Sequence, residues 1–146
     1  MSEPHRIRLI QHTIGIKLRN QRLLIKSYAK NHHDLELAHM ADELKRYEKR
    51  IKQETNHEML RGLEGLAAKK YFSAFPLILD DAIWHWNGRT RRPPKDPVNA
   101  LLSYGYAFLE REIRIAALGA GLDVRFGFFH SNNGRKDILV FDLIEK

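Results

Sequence analysis

The chain has 146 residues, which suits a single domain, spanning 1–146, with one hydrophobic core. It is 43% apolar and 29% charged, and 25 Lys and Arg against 18 Asp and Glu leave a net charge of +7. That balance argues against disorder along the whole chain, and zero cysteines exclude disulfide scaffolds, zinc ribbons and thiol catalysis. The apolar runs fall short of a membrane span, and the opening MSEPHRIRL has no signal-peptide core. A soluble, cytoplasmic protein with no membrane partner is therefore expected. The positive excess favours a polyanionic partner.

Helical periodicity dominates. Ile7, Ile10, Ile14, Leu18 and Ile25 recur at three-, four- and seven-residue steps and predict a long helix over about 4–30. The polar run 31–34 supplies a turn and an N-cap for a second helix over about 34–53, with Ala41, Leu44, Tyr47 or Glu48, and Ile51 on one face. Thr55 and Glu58 match a capping box, opening a third helix over about 56–75. A fourth, short helix is expected over 76–86. Three prolines and a glycine then exclude regular structure from 87–97. Asp96 and Pro97 make an N-cap and first residue for a fifth helix over about 97–118, ended by Gly119 and Gly121. A short extended piece at 124–130, a loop at 131–136 and a last helix capped by Asp137 complete the reading. The class is all-α.

Within the third helix, Leu60, Leu63, Ala67, Tyr71 and Phe75 form an apolar stripe, and Glu64 falls inside it. A carboxylate there must be paired, protonated or metal-bound, because an unpaired buried charge is costly. Two explanations stand side by side: an ion pair with Arg61 or Lys17, or a ligand role. Towards the C-terminus come His130, Asp142 and Glu145. Carboxylates and an imidazole suit Mn²⁺ or Mg²⁺, and phosphodiester chemistry follows from such a site. Arg89, Arg91, Arg92 and Lys95 make the loop at 87–97 the phosphate-contacting candidate, with a disordered basic connector as the plainer reading. Trp84, Trp86, Tyr104 and Tyr106 read as core or helix-packing aromatics, and the pair His32-His33 shows no ligand pattern.

The segment from Arg89 to Tyr106, R-T-R-R-P-P-K-D-P-V-N-A-L-L-S-Y-G-Y, closely resembles the signature of the CRISPR-associated integrase and endonuclease (Cas-one) family. Further blocks fall in family order. Arg61-Gly62-Leu63-Glu64-Gly65, with Ala68 and Tyr71, is similar to its R-G-x-E-G segment. Gly121-Leu122-Asp123 leading to Gly127-Phe128-Phe129-His130 is similar to its G-L-D-P…G-F-L-H segment, with Val124 in place of the proline. Asp142-Leu143-Ile144-Glu145 is similar to its D-L-x-E segment. Lys17-Leu18-Arg19-Asn20-Gln21, with Leu23 and Leu24, resembles the first helix of the family's catalytic domain.

The resemblance implies a metal-dependent DNA endonuclease and integrase of spacer acquisition, joining a DNA 3′-hydroxyl to a target phosphodiester with Mg²⁺ or Mn²⁺. It carries catalytic roles onto Glu64, His130, Asp142 and Glu145, with Glu64, His130 and Glu145 as ligands and Glu145 ranked above Asp142. Arg89, Arg91, Arg92, Lys95 and Asn99 would bind DNA or organise the site. The implied partners are DNA (spacer precursor and CRISPR repeat), a small second subunit, and a second copy in the full-length family member. Two departures are expected to matter. The family's β-rich N-terminal domain has no counterpart here, and its helical sequence beyond D-L-x-E is missing, so the chain reads as a catalytic lobe. The alternatives are a catalytically incomplete DNA-binding fragment and a helical module that docks the partner subunit.

Overall fold

Pro4 sits in the first turn of α1 (Glu3–His32), where its missing N–H leaves no hydrogen bond unmade. The structure, a computed structural model, describes residues 1–79, 81–130 and 137–144, without the side chains of 81 and 82. Ile7, Ile10, Ile14, Leu18 and Ile25 are all buried along one side of α1, as the periodicity requires. His33 ends the helix in the left-handed region at φ 53°, and the Asp34 carboxylate accepts from Leu37 N–H at 2.9 Å to open α2 (Leu35–Gln53). This tight turn folds α2 back along α1. Gln11 donates to the carbonyl of Glu54, and Arg22 pairs with Glu48, so the two helices run antiparallel. Leu37, Ala41, Leu44 and Ile51 face the α1 stripe.

The third helix, α3 (His57–Ser73), is capped by Asn56, whose side chain accepts from Met59 N–H, and not by Thr55. Glu54 in turn holds the Asn56 N–H, which moves the cap one residue along. Leu60, Leu63 and Ala67 complete a three-helix core, into which Phe128 and Phe129 insert from the far end of the chain.

The expected helix over 76–86 is broken. The described residues form two four-residue turns, α4 (Phe75–Ile78) and α5 (Asp81–Trp84), because Leu79 is extended and His85 adopts φ 48°. The break brings Trp86 back onto Phe75 and Phe72, with ring centroids 4.7 and 6.0 Å apart. Trp86 is thereby buried, as its reading as a packing aromatic requires.

Asp96 caps α6 (Pro97–Gly119) by accepting from Asn99 N–H at 2.8 Å. Gly121 supplies the positive φ, 73°, that turns the chain away after this helix. Tyr104 is not a packing residue, since 74% of its surface is exposed, and Tyr106 is 40% exposed. Among the described residues, α6 is covered along one narrow side, largely by α7 (Ile138–Ile144), through Ala117, Ile113, Val140 and Ile144.

Among the described residues no strand forms, so 124–130 is not an extended piece with a strand partner. Its amides find another acceptor, described below. Asp137 stands at the start of α7, where its backbone carbonyl accepts from Val140 and Phe141 N–H and its carboxylate pairs with Arg114 of α6. The predicted loop at 131–136 and Glu145 lie outside the described residues. Among those residues no helix is long and apolar enough to cross a membrane.

Candidate functional site

One open cleft of about 420 Å³ lies where α3 meets the segment at 128–130, lined by Glu58, Arg61, Gly62, Glu64, Phe129 and His130. Glu64 reaches it from the apolar stripe of α3, and the Lys17 ammonium meets its carboxylate at 2.5 Å. Of the two candidate pairs, Lys17 is the one realised. Arg61 turns instead towards Glu58, 3.8 Å away on the cleft wall. Both charges of the Lys17–Glu64 pair are mostly covered, with side-chain exposures of 15% and 20%, and a covered charge is costly unless paired.

His130 enters from the opposite wall, and its placement depends on Asp142. The fully buried Asp142 carboxylate accepts the N–H groups of Phe128, Phe129 and His130 at 2.5, 2.9 and 3.0 Å. It also accepts from His130 Nδ1 at 2.7 Å. Burial alone would push the Asp142 carboxyl up, but the imidazole and the three amides overcome that and hold it below its ordinary value. Nδ1 must carry the proton it donates to a carboxylate, which in the neutral ring leaves Nε2 with a lone pair. Gly127 makes the close approach possible, since a Cβ there would collide with Ile138 and the Asp142 carboxylate.

Two further side chains hold the same segment. Arg6 Nε donates to the Phe128 carbonyl at 2.7 Å, and His57 Nε2 donates to the Phe129 carbonyl at 2.9 Å. Sequence periodicity gave no sign of either, nor of Glu58 as a cleft residue.

The basic loop is built around Asn99, which is fully buried. Its Nδ2 donates to the carbonyl of Gly88 at 2.7 Å and to Asp96 at 2.5 Å, while its Oδ1 accepts from Thr90 N–H and the Arg89 guanidinium. Arg89 also donates to the Thr90 carbonyl and lies over the Tyr106 ring, 5.7 Å from its centroid. Burial, then the neighbouring Arg91 charge, pull the Arg89 guanidinium below its ordinary value. Arg89 and Asn99 therefore serve the loop's shape, whereas Arg91, Arg92 and Lys95 are exposed. The plainer reading, an unstructured connector, does not describe this segment.

The structure thus brings Glu64 and His130 to one cleft and sets Asp142 behind His130. Among the described residues no group of three or more His, Asp or Glu gathers as a metal cage. A carboxylate and an imidazole with a free Nε2 are nevertheless donors that fit a hard or borderline divalent cation.

Comparison with known proteins agrees with this architecture. The family model described as CRISPR associated protein Cas1 matches residues 1–146. The chain is 41% identical over 100 residues to the CRISPR-associated endonuclease Cas1 1 of Chlorobaculum tepidum, covering 67% of this chain and 29% of that protein. Among solved structures it is similar to a partial Cas6-RT-Cas1–Cas2 complex, at 32% identity and TM-score 0.88, over 99% of this chain and 42% of that one. It is likewise similar to a CAS1 protein from Thermotoga maritima, at 28% identity and TM-score 0.81, over 99% of this chain and 44% of that one. The chain spans less than a third of the length of relatives such as the Chlorobaculum protein.

Proposed function

Because the chain belongs to the Cas1 family of CRISPR-associated proteins, we propose that it is the helical catalytic lobe of a metal-dependent DNA endonuclease and integrase, acting in the cytoplasm during spacer acquisition. The observation that carries this reading is the meeting of Glu64 and His130 at one cleft, with His130 oriented from behind by a buried Asp142. Glu64 and His130 would hold the cation, Mg²⁺ or Mn²⁺, with Glu145 as a third ligand. When bound, such a cation stabilises charge developing on the phosphoryl oxygens.

The chain's own residues supply orientation. Asp142 keeps the lone pair of His130 on Nε2, the nitrogen not turned towards the core. Lys17 balances Glu64 in the free protein and stands beside the cleft as a second positive group. Arg61, on the cleft wall, and Arg91, Arg92 and Lys95, on the loop, are placed for DNA phosphates, to which guanidinium groups can bond bidentately. Arg89 and Asn99 contribute by holding that loop in shape. In the proposed reaction a bond forms between the 3′-oxygen of a DNA end and the target phosphorus. The target's own bond from phosphorus to its 3′-oxygen breaks, that strand leaves as a 3′-hydroxyl, and the proton lost by the attacking hydroxyl is balanced by the one the leaving oxygen gains. The partners assigned are spacer-precursor DNA, the CRISPR repeat, a second copy in the longer family member, and a small Cas2-type subunit like that of the similar complex.

The test is strand cleavage of a branched DNA duplex in Mn²⁺, with Glu64→Ala and a chelator as controls. The expected result is cleavage by the wild-type chain that both controls abolish. Retained DNA binding without cleavage would assign the chain to the binding-only reading instead. Equal cleavage by Glu64→Ala would remove the cleft from the mechanism.

A further inference from the structure

The two peptide units that lead into His130 are each gripped on both edges. In the unit joining Phe128 to Phe129, the carbonyl accepts from Arg6 Nε at 2.7 Å and the N–H goes to Asp142 at 2.9 Å. In the unit joining Phe129 to His130, the carbonyl accepts from His57 Nε2 at 2.9 Å and the N–H goes to Asp142 at 3.0 Å. Two consecutive peptide planes are thereby fixed, and with them the place of the His130 Cα. The hydrogen bond from Nδ1 to Asp142 then holds the ring.

The gripping groups come from different parts of the fold. Asp142 lies on α7, Arg6 on α1 and His57 on α3. His57 and Glu64 are seven residues apart on the same helix, two turns along one face. His57 also packs against the ring of Phe129, centroids 5.6 Å apart, and its Nδ1 lies 3.5 Å from Glu58 on the cleft wall. From this we propose that His57, supported by Arg6, is a positioning residue that ties the His130 segment to α3 and so sets where His130 stands relative to Glu64. The proposal rests on the reading of Glu64 and His130 as ligands. His57 touches neither metal nor DNA in it.

The experiment compares His57→Ala with His57→Gln, whose amide N–H can still reach the Phe129 carbonyl, by NMR of the whole chain and by titration with Mn²⁺. The His130 backbone amide should exchange about fivefold faster in His57→Ala, the loss of roughly one hydrogen bond. The His130 ring should move away from a single Nδ1–H tautomer. His57→Gln should restore both signals. Mn²⁺ affinity should fall about tenfold in His57→Ala and recover in His57→Gln, as for residues that orient a metal ligand. Unchanged His130 signals in His57→Ala would overturn the positioning role whatever the metal does. If those signals move, with rescue by His57→Gln, the positioning role holds. Mn²⁺ binding that is then indifferent to both His57→Ala and Glu64→Ala would overturn the ligand reading alone.

Discussion

The helices α1 to α3 and the helix α6 solve the problem of an apolar face in opposite ways. In the bundle, Ile10, Ile14, Leu18, Ile25, Leu44, Ile51 and Leu60 are completely shielded, and only scattered apolar residues such as Leu35, Met59 and Leu66 stand more than half exposed on the same helices. Along the 23 residues of α6 only Val98, Asn99 and Ala117 are buried, while Leu101, Tyr104, Phe108, Ile115 and Leu118 are each more than half exposed. The bundle holds itself together by burial. The α6 region has only a small apolar cluster with α7 and relies besides on particular links: Asn99 in its loop, the Arg114–Asp137 pair, and the Asp142 carboxylate that ties α7 to the segment inserted in the bundle. The candidate cleft lies where that segment meets α3, so its geometry depends on a few directed hydrogen bonds beside a well-packed core.

The most severe break in this arrangement is Asp142→Ala. It would leave three backbone amides and the His130 ring without their acceptor in a buried place, a loss of about 4 kcal/mol by the range for broken buried charged contacts. Denaturant unfolding checks the size. Hydrogen exchange checks the location: α7 and 128–130 should lose protection well before α1 and α2. Uniform loss of protection would mean that the two regions fold as one unit and that the contrast between them is one of exposure only.

A paired substitution sharpens the contrast at the next level. Leu44→Ala removes a completely buried side chain from the bundle and should cost about 3 kcal/mol. Phe108→Ala, in the middle of the exposed side of α6, should change stability by no more than about 0.5 kcal/mol in this chain. Equal losses would show that the outward side of α6 is covered in solution.

These differences also explain what could be read from the sequence. The bundle was legible because helical burial repeats at fixed steps, and Ile7, Ile10, Ile14, Leu18 and Ile25 keep to them without exception. The caps Asp34 and Asp96 were legible because a short acceptor side chain bonds an amide only three residues away. Glu64 stood out as a carboxylate in an apolar stripe, and Lys17 was among its named partners. The grip of Asp142 on 128–130 had no such signal, since it joins positions 12 to 14 residues apart through irregular backbone. Read by composition, 124–130 therefore passed for extended chain. Arg89 and Asn99 gave no sequence signal of their bonds within the loop. A polar loop residue is taken to face solvent or a ligand, yet these two satisfy the loop's own carbonyls and amides. Tyr104 shows the limit of helical patterning, because α6 is apolar on more sides than the described residues cover.

The smallest effect tests whether charge or burial holds the bundle. Glu43 of α2 pairs with Lys70 of α3 across the surface of the bundle. The Lys70 hydrogen bond lowers the Glu43 carboxyl below its ordinary 4.5; partial burial opposes it, and the nearby charges of Lys70, His39 and Arg46 assist. A carboxyl lowered in the folded state binds its proton less readily there than in the unfolded chain. The pair's stabilisation is therefore fully present above about pH 4.5 and disappears as the pH falls through the lower folded value. Glu43→Gln should cost less than about 1 kcal/mol at pH 7, as partly exposed pairs do, and less still in high salt. The difference between wild type and variant should close on acidification, which thermal unfolding at a series of pH values would follow. A loss as large as that of Leu44→Ala would make directed contacts, not burial, the main support of both regions. A small loss that vanishes in acid would leave burial as the support of the bundle, and directed contacts as the particular need of the segment bearing His130.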